Sequence, residues 1–197
     1  MSLPFSILTF LLLLFLFSSP NSAAARKSDA PPDDIVRSSC VHASYPNLCL
    51  RTLSSYAGSS SCKTPRDLAR AAVKVSLSRT RRVSKYLAHV SAGDSERQRE
   101  ALSDCAEQIS DSVDSLSSTL GELKHLQEGE SFRWHMSNAQ TWVSAAMTNE
   151  DTCLDGFQGV DGKVKSDVKR KVTNLARVTS NALYMINRLD ESRGKHL

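Results

Sequence analysis

Four carboxylates, Asp104, Glu107, Asp111 and Asp114, follow one another at spacings of three, four and three residues, which on a helix sets them in a row along one side. No Lys or Arg stands three or four residues from most of them to relieve their mutual repulsion. Such a row is either a solvated face or a surface that addresses a partner. Paired carboxylates also hydrolyse glycosides, but that needs two groups facing each other across roughly 5–9.5 Å of cleft, and a row on one helix does not make one. A second acidic group, Glu150, Asp151 and Asp155, crowds the end of the stretch SNAQTWVSAAMTNEDTCLDGF, residues 137–157. At a helix C-terminus the macrodipole disfavours anions by roughly 0.3–1 kcal/mol each. Either Thr148 caps a new helical turn with Asp151 three residues on, or these acids face a partner. The five histidines, His42, His89, His125, His135 and His196, show no HExxH or comparable ligand spacing, and no metal or other cofactor is implied. His125 and His135 read as polar groups at helix ends. Pairing Cys62 with a distant His would make a thiol nucleophile, but the surrounding Gly58-Ser59-Ser60-Ser61 is a poor place to hold that geometry.

The elements that must position these residues are helical. Thr64-Pro65 is a cap followed by proline at the first helical position, and opens a pattern of Leu68, Ala72, Val75, Val83, Tyr86 and Val90 that stops at Gly93. Ser95 with Gln98 three residues on has the form of a capping box. The stripe behind it, Leu102, Cys105, Ile109, Val113, Leu116, Leu120 and Leu123, keeps strict three/four spacing on the helix that bears the acidic row. A third helix starts near Ser131. In it Ala139, Trp142, Val143 and Ala146 share one side, with Trp142 as the large apolar anchor and Ser144, Ala145 and Ala146 small enough for close helix approach. A fourth follows Asp161-Gly162 with Val164, Val168, Val172, Leu175, Thr179, Ala182, Ile186 and Leu189. Aromatics are only 6% of the chain and period-2 strands are missing. The expected fold is therefore all-α: an antiparallel up-down-up-down four-helix bundle over 64–190, preceded by a helical hairpin over 35–57. Residues 26–34 read as a flexible lead-in and 191–197 as a flexible tail. The run Phe5–Phe17, then Pro20 and Ser22-Ala23-Ala24-Ala25, has the shape of a secretory signal peptide over 1–25. It is shorter than the roughly 20 apolar residues of a membrane span, so a secreted, apoplastic protein without a membrane anchor is expected.

Secretion makes the five cysteines candidates for disulfides. Cys40 and Cys49 flank the turn signal Tyr45-Pro46-Asn47, and a bridge there would lock the hairpin. Cys105 and Cys153 each lie 24 positions from Gly129, in the breaker-rich stretch Gln127–Glu130; residues equidistant from the turn of an antiparallel helix pair come level with each other. Cys62 is left as a free thiol, an intermolecular link giving a dimer, or a glutathionylated site. The net charge of +4 comes from 25 basic and 21 acidic residues. Basic runs such as Lys163, Lys165, Lys169, Arg170 and Lys171 have no aromatics interleaved, so they read as a solvated face rather than a nucleic-acid site.

Thr141, Trp142, Ser144, Ala145, Ala146, Thr148, Thr152, Cys153, Asp155 and Phe157 reproduce a motif, and with Cys40, Tyr45-Pro46, Cys49 and Cys105 the chain from about Ser39 to Leu189 resembles the plant invertase/pectin methylesterase inhibitor family. The resemblance implies a non-catalytic inhibitor whose second and third bundle helices enter the target's substrate cleft as a 1:1 complex. The positions matching the family's contacts are Glu107, Asp111 and Asp114 on the second helix and Thr148, Thr152 and Asp155 on the third. Carboxylates suit a cleft built for a polyuronate, and blocking it needs no chemistry. The family holds two inhibitory activities on one fold. Its invertase inhibitors carry a Pro-Lys-Phe motif near the start of the C-terminal helices. Here the last proline is Pro65 and that region reads Gly159-Val160-Asp161-Gly162-Lys163, which favours pectin methylesterase over acid invertase as the target. A non-inhibitory wall-binding or signalling bundle is the alternative from another class.

Overall fold

A computed structural model of the chain describes residues 32–57, 62–91, 93, 95–126 and 130–194. The expected signal peptide and the Gly/Ser stretch before Cys62 lie outside the described residues. Among the described residues six helices follow in order: α1 Pro32–Cys40, α2 Pro46–Ala57, α3 Pro65–His89, α4 Glu96–His125, α5 Glu130–Asp155 and α6 Lys163–Gly194. α3 packs on α4 and α6, and α5 packs on the same two, so the four long helices stand at the corners of a square. No helix among the described residues is long and apolar enough to cross a membrane.

Two boundaries differ from the sequence expectation. The first described helix already includes residues 32–34 of the expected lead-in, because Pro32 stands at a helix start where its missing amide hydrogen costs nothing. At the other end α6 continues past Asp190 to Gly194, with no breaker before that glycine.

Caps set the ends as expected. Thr64 accepts from the Asp67 amide at 3.1 Å while Asp67 accepts from the Thr64 amide, and Ser95 Oγ accepts from the Gln98 amide at 3.3 Å. Arg66 in the first turn of α3 donates to the carbonyls of Leu123 and Lys124, neutralising the last turn of α4. At the opposite end Arg97 donates to the Gln158 carbonyl at 3.0 Å and pins the α5–α6 connection. Gly159 there has φ +73, and a Cβ on it would meet the Arg97 guanidinium at 2.7 Å.

The interior is built in layers. One apolar cluster joins the α1/α2 hairpin to Leu68, Val73, Leu116, Leu123, Met136 and Ile186, while another gathers Val83, Leu102, Ile109, Phe157, Val168 and Leu175. Between them the buried side chains are polar: Ser76, Thr80, Ser112, Glu150 and Thr179, all fully enclosed. The hairpin is bridged by Cys40–Cys49 and is held to the bundle from α6. There Asn181, 3% exposed, accepts from the Tyr45 amide at 3.0 Å and donates to the Tyr45 carbonyl at 3.1 Å. One buried amide thus satisfies both backbone groups of the turn residue.

Candidate target-binding face

α4 and α5 form the most extensive helix pair, and its register follows from the turn between them. Cys105 is bridged to Cys153, and Ser112 Oγ donates to the Ala146 carbonyl at 3.1 Å. Ser112 and Ala146 are each 17 positions from residue 129, as Cys105 and Cys153 are each 24, so both pairs obey one register. Ala146 and Ser112 are completely buried; their small side chains let the two backbones approach.

On α4, Asp104, Glu107, Asp111 and Asp114 are all exposed, and none forms an ion pair with a described residue. Their position relative to α5 comes from Glu122, which accepts from Asn138 at 3.4 Å and sits 2.6 Å from His135 Nδ1 across the seam. Asp111 and Asp104 lie 11 and 18 residues before Glu122, close to three and five helical turns. They therefore occupy the edge of α4 that faces α5. Glu107 and Asp114 lie further round, toward solvent.

On α5 the matching edge is marked by Asn138. Thr152 stands 14 residues, about four turns, beyond it, and Thr148 and Asp155 form the exposed crest beside it. Thr141, Thr148 and Thr152 each donate a hydroxyl proton to the carbonyl four residues earlier, at 2.9, 3.2 and 2.9 Å. These hydroxyls present their oxygen lone pairs outward. The six residues anticipated as target contacts thus lie on the outer face and crest of one helix pair: a narrow ridge of hydroxyls beside a row of unpaired carboxylates.

Three expectations for this region are corrected. Thr148 does not start a new turn: α5 runs unbroken to Asp155, and the Thr148 hydroxyl is engaged with the Ser144 carbonyl inside the same helix. Glu150 does not face a partner with Asp151 and Asp155. It is wholly buried, with one carboxylate oxygen accepting from Thr179 at 2.8 Å, and Thr179 in turn 2.7 Å from the Ser76 hydroxyl. Its other oxygen has no hydrogen-bond partner among the described residues. Burial pushes the Glu150 carboxyl up to about 8, against the lowering effect of the Thr179 hydrogen bond and with a further push from Asp151. Trp142, expected as a core anchor, is 42% exposed at the α4 edge of α5; Trp134, eight residues earlier, is 68% exposed. The helix core is made instead by Met136, Ala139, Val143, Ala146, Glu150 and Cys153. That four/three rhythm passes through Glu150, so the spacing carried the signal that residue type concealed.

Cys62 is unpaired, as anticipated, but it is 2% exposed rather than displayed on a loose segment. Burial, with the Asp67 charge nearby, raises its pKa and keeps the thiol protonated. A covalent dimer through Cys62 would require that pocket to open. Neither a thiol nucleophile nor an exposed linking cysteine is present in this arrangement. Among the described residues no group of three or more His, Cys, Asp or Glu side chains is arranged to hold a metal ion.

Comparison with known proteins bears on the family and the fold. The family model described as plant invertase/pectin methylesterase inhibitor matches residues 34–185. Pectinesterase inhibitor 3 of Arabidopsis thaliana is 59% identical over 170 residues, covering 83% of this chain and 82% of the relative. Pectinesterase inhibitor 9 of the same plant is 40% identical over 192 residues, covering 93% and 94%. A crystal structure of a mutant form of a pectin methylesterase inhibitor from Arabidopsis superposes with a TM-score of 0.61 over 75% of this chain and 92% of that one. At 21% identity that match speaks for the fold alone. On the extent of the family match and the identity to these relatives, the chain belongs to the plant invertase/pectin methylesterase inhibitor family.

Proposed function

We propose that this protein is a proteinaceous, non-catalytic inhibitor of plant cell-wall pectin methylesterase, acting in the apoplast as a 1:1 complex in which the outer face of α4 and α5 occupies the enzyme's substrate cleft. The observation that carries the reading is the pairing of Asp104, Glu107, Asp111 and Asp114 with the Thr148–Asp155 ridge on one rigid, disulfide-tied helix pair. Unpaired carboxylates on a preorganised surface imitate the carboxyl groups of a uronic acid polymer, and the rigid ridge has little conformational entropy left to lose on binding. Trp142 adds a half-exposed indole on the same helix as the hydroxyl ridge, the kind of anchor that dominates interface energetics. The relatives named pectinesterase inhibitors support the choice of target, as does the absence of Pro-Lys-Phe before α6.

Titration of the oxidised protein against pectin methylesterase and against acid invertase tests this. Loss of pectin methylesterase activity reaching completion near one equivalent, with invertase unaffected, is the expected result. Invertase loss alone would transfer the protein to the other activity of its family, and loss of neither would leave a wall-binding or signalling bundle. The expected secretion is checked separately: protein from wall extract should begin near Ala25 or Arg26, and retention of residues 1–24 would contradict it.

A further inference from the structure

The side of the bundle opposite the acidic pair carries the opposite charge. α3 and α6 flank a groove of about 800 Å³ whose lining includes Arg79, Arg82, Lys169, Arg170, Lys171 and Arg177, with no acidic residue among the lining side chains. Of these six, only Arg170 forms an ion pair with a described residue, to Asp167 at 2.9 Å. Arg79 is held across the groove by a 2.6 Å hydrogen bond to Asn174 Oδ1. Its guanidinium is made less basic by burial and by the charges of Arg82 and Arg51, and Asp167 is the acid that answers Arg170 and Lys171 beside the groove. Sustaining such a cluster on a fixed scaffold is unfavourable for the free protein and is relieved by an anion laid along it.

From this groove we propose a second binding site: a seat for a linear polycarboxylate polysaccharide, the de-esterified form of pectin. From Ser166 to Arg177 the α6 wall runs about 17 Å at 1.5 Å per residue, long enough for an extended polymer instead of a single small anion. Ser166, Thr173 and Asn174 flank the cations on the same wall, and the Thr173 hydroxyl, the Asn174 amide nitrogen and the lone pairs of Ser166 Oγ are groups that ring hydroxyls can address. The aromatic rings nearby are not open to nucleic-acid bases: Lys171 Nζ lies 4.4 Å over the Tyr86 ring, and the Arg177 guanidinium 5.5 Å over Tyr45. The concave, polar lining likewise does not suit a flat lipid surface. Naming pectin as the polymer rests on the proposed function, since hydrolysis of methyl esters leaves a polyuronate as product. Because the groove lies across the square from α4 and α5, the inhibitor would sit on the polymer its target has processed while its enzyme-facing side stays free.

The test measures binding of the oxidised protein to fully de-esterified polygalacturonate, to highly methyl-esterified pectin of similar length and to double-stranded DNA, over a salt series. Polygalacturonate should bind at low salt, weaken steeply as salt rises, and bind at least tenfold more tightly than either of the others. Arg82→Gln with Lys169→Gln, both exposed positions, should weaken it at least tenfold with melting unchanged, and Arg82→Lys with Lys169→Arg should retain it. No polygalacturonate binding, equal binding of the esterified polymer, DNA binding as tight or tighter, or a neutralised variant that binds like wild type would each overturn the proposal. Inhibition of pectin methylesterase is measured in parallel at high salt, where the Gln variant should match wild type. A protein that binds polygalacturonate but inhibits nothing would refute the inhibitor reading alone, and one that inhibits without binding would refute the groove alone.

Discussion

Along α5 one stretch of sequence serves two environments, and comparing them shows what each residue is for. The inward line, Met136, Ala139, Val143, Ala146, Glu150 and Cys153, is 1% exposed or less throughout. The outward line, Ser137, Thr141, Ser144, Thr148, Thr152 and Asp155, is exposed at every position. Both keep the same three/four rhythm, so periodicity alone cannot tell scaffold from site. Chemistry separates them. The inward side chains are enclosed by packing, by a bridge at Cys153 and by the Thr179 hydrogen bond to one oxygen of Glu150, while the outward residues stand in solvent and Asp155 forms no ion pair with a described residue, accepting only from Gln158 on the following turn at 3.3 Å.

The comparison predicts that inward changes act on stability and outward ones on inhibition. The largest effect is expected from Met136→Ala, which leaves a void in the core layer that joins the hairpin to the bundle; it should cost roughly 2–5 kcal/mol and lower the melting temperature by several degrees. Inhibition by the fraction still folded should be unchanged. A melting temperature equal to wild type would show that the inward line is not the structural one.

Glu150 sharpens the same contrast with pH. Its carboxyl is raised to about 8 in the folded chain, above the ordinary carboxylate value, so the folded state holds a proton that the unfolded state has released. Stability is then fully present below the ordinary carboxylate pKa and is lost as pH climbs toward about 8. Between pH 5 and pH 8 the loss should be on the order of 3–4 kcal/mol. Glu150→Gln, which keeps an acceptor for Thr179 and carries no charge, should flatten that slope in denaturant titrations at the two pH values. An unaltered slope would contradict the assignment.

Trp142→Ala is expected to give a smaller effect of the outward kind. With 42% of the side chain exposed, its removal should change stability by no more than about 1 kcal/mol while weakening inhibition roughly 30-fold, the loss associated with about 2 kcal/mol at an aromatic anchor. A larger loss of melting temperature than of inhibition would return Trp142 to the core.

Much of this architecture is legible from local rules. Thr64-Pro65 and Ser95 open helices because capping depends on neighbours within one turn, and the Cys105–Cys153 level follows from counting outward from the breakers around Gly129. The acidic row needed only helical spacing. What escaped were features set by distant packing. Glu150 is an acid by type but occupies an inward position, and only the approach of Thr179 from α6 makes that position polar. Trp142 is apolar by type but stands where α4 leaves its edge uncovered. Asn181 clamps a turn 136 residues away, a pairing no local pattern announces. The Cys62 thiol is enclosed by neighbours from α2 and α3, though its flanking sequence is that of an open loop.

The most direct test of the outward face as an enzyme-docking surface is the inhibition constant of the Asp111→Ala, Asp114→Ala variant against pectin methylesterase, taken with its melting temperature. Both side chains are exposed and unpaired, so removing them relieves like-charge repulsion of roughly 0.2–0.5 kcal/mol per pair and should leave the fold intact or slightly firmer. Loss of charge contacts desolvated in a complex typically costs 2–5 kcal/mol, so inhibition should weaken about 30-fold or more. A variant that melts like wild type and inhibits as tightly at every pH tried would make the acidic row ordinary solvated surface, and the docking face would have to be sought elsewhere on the bundle.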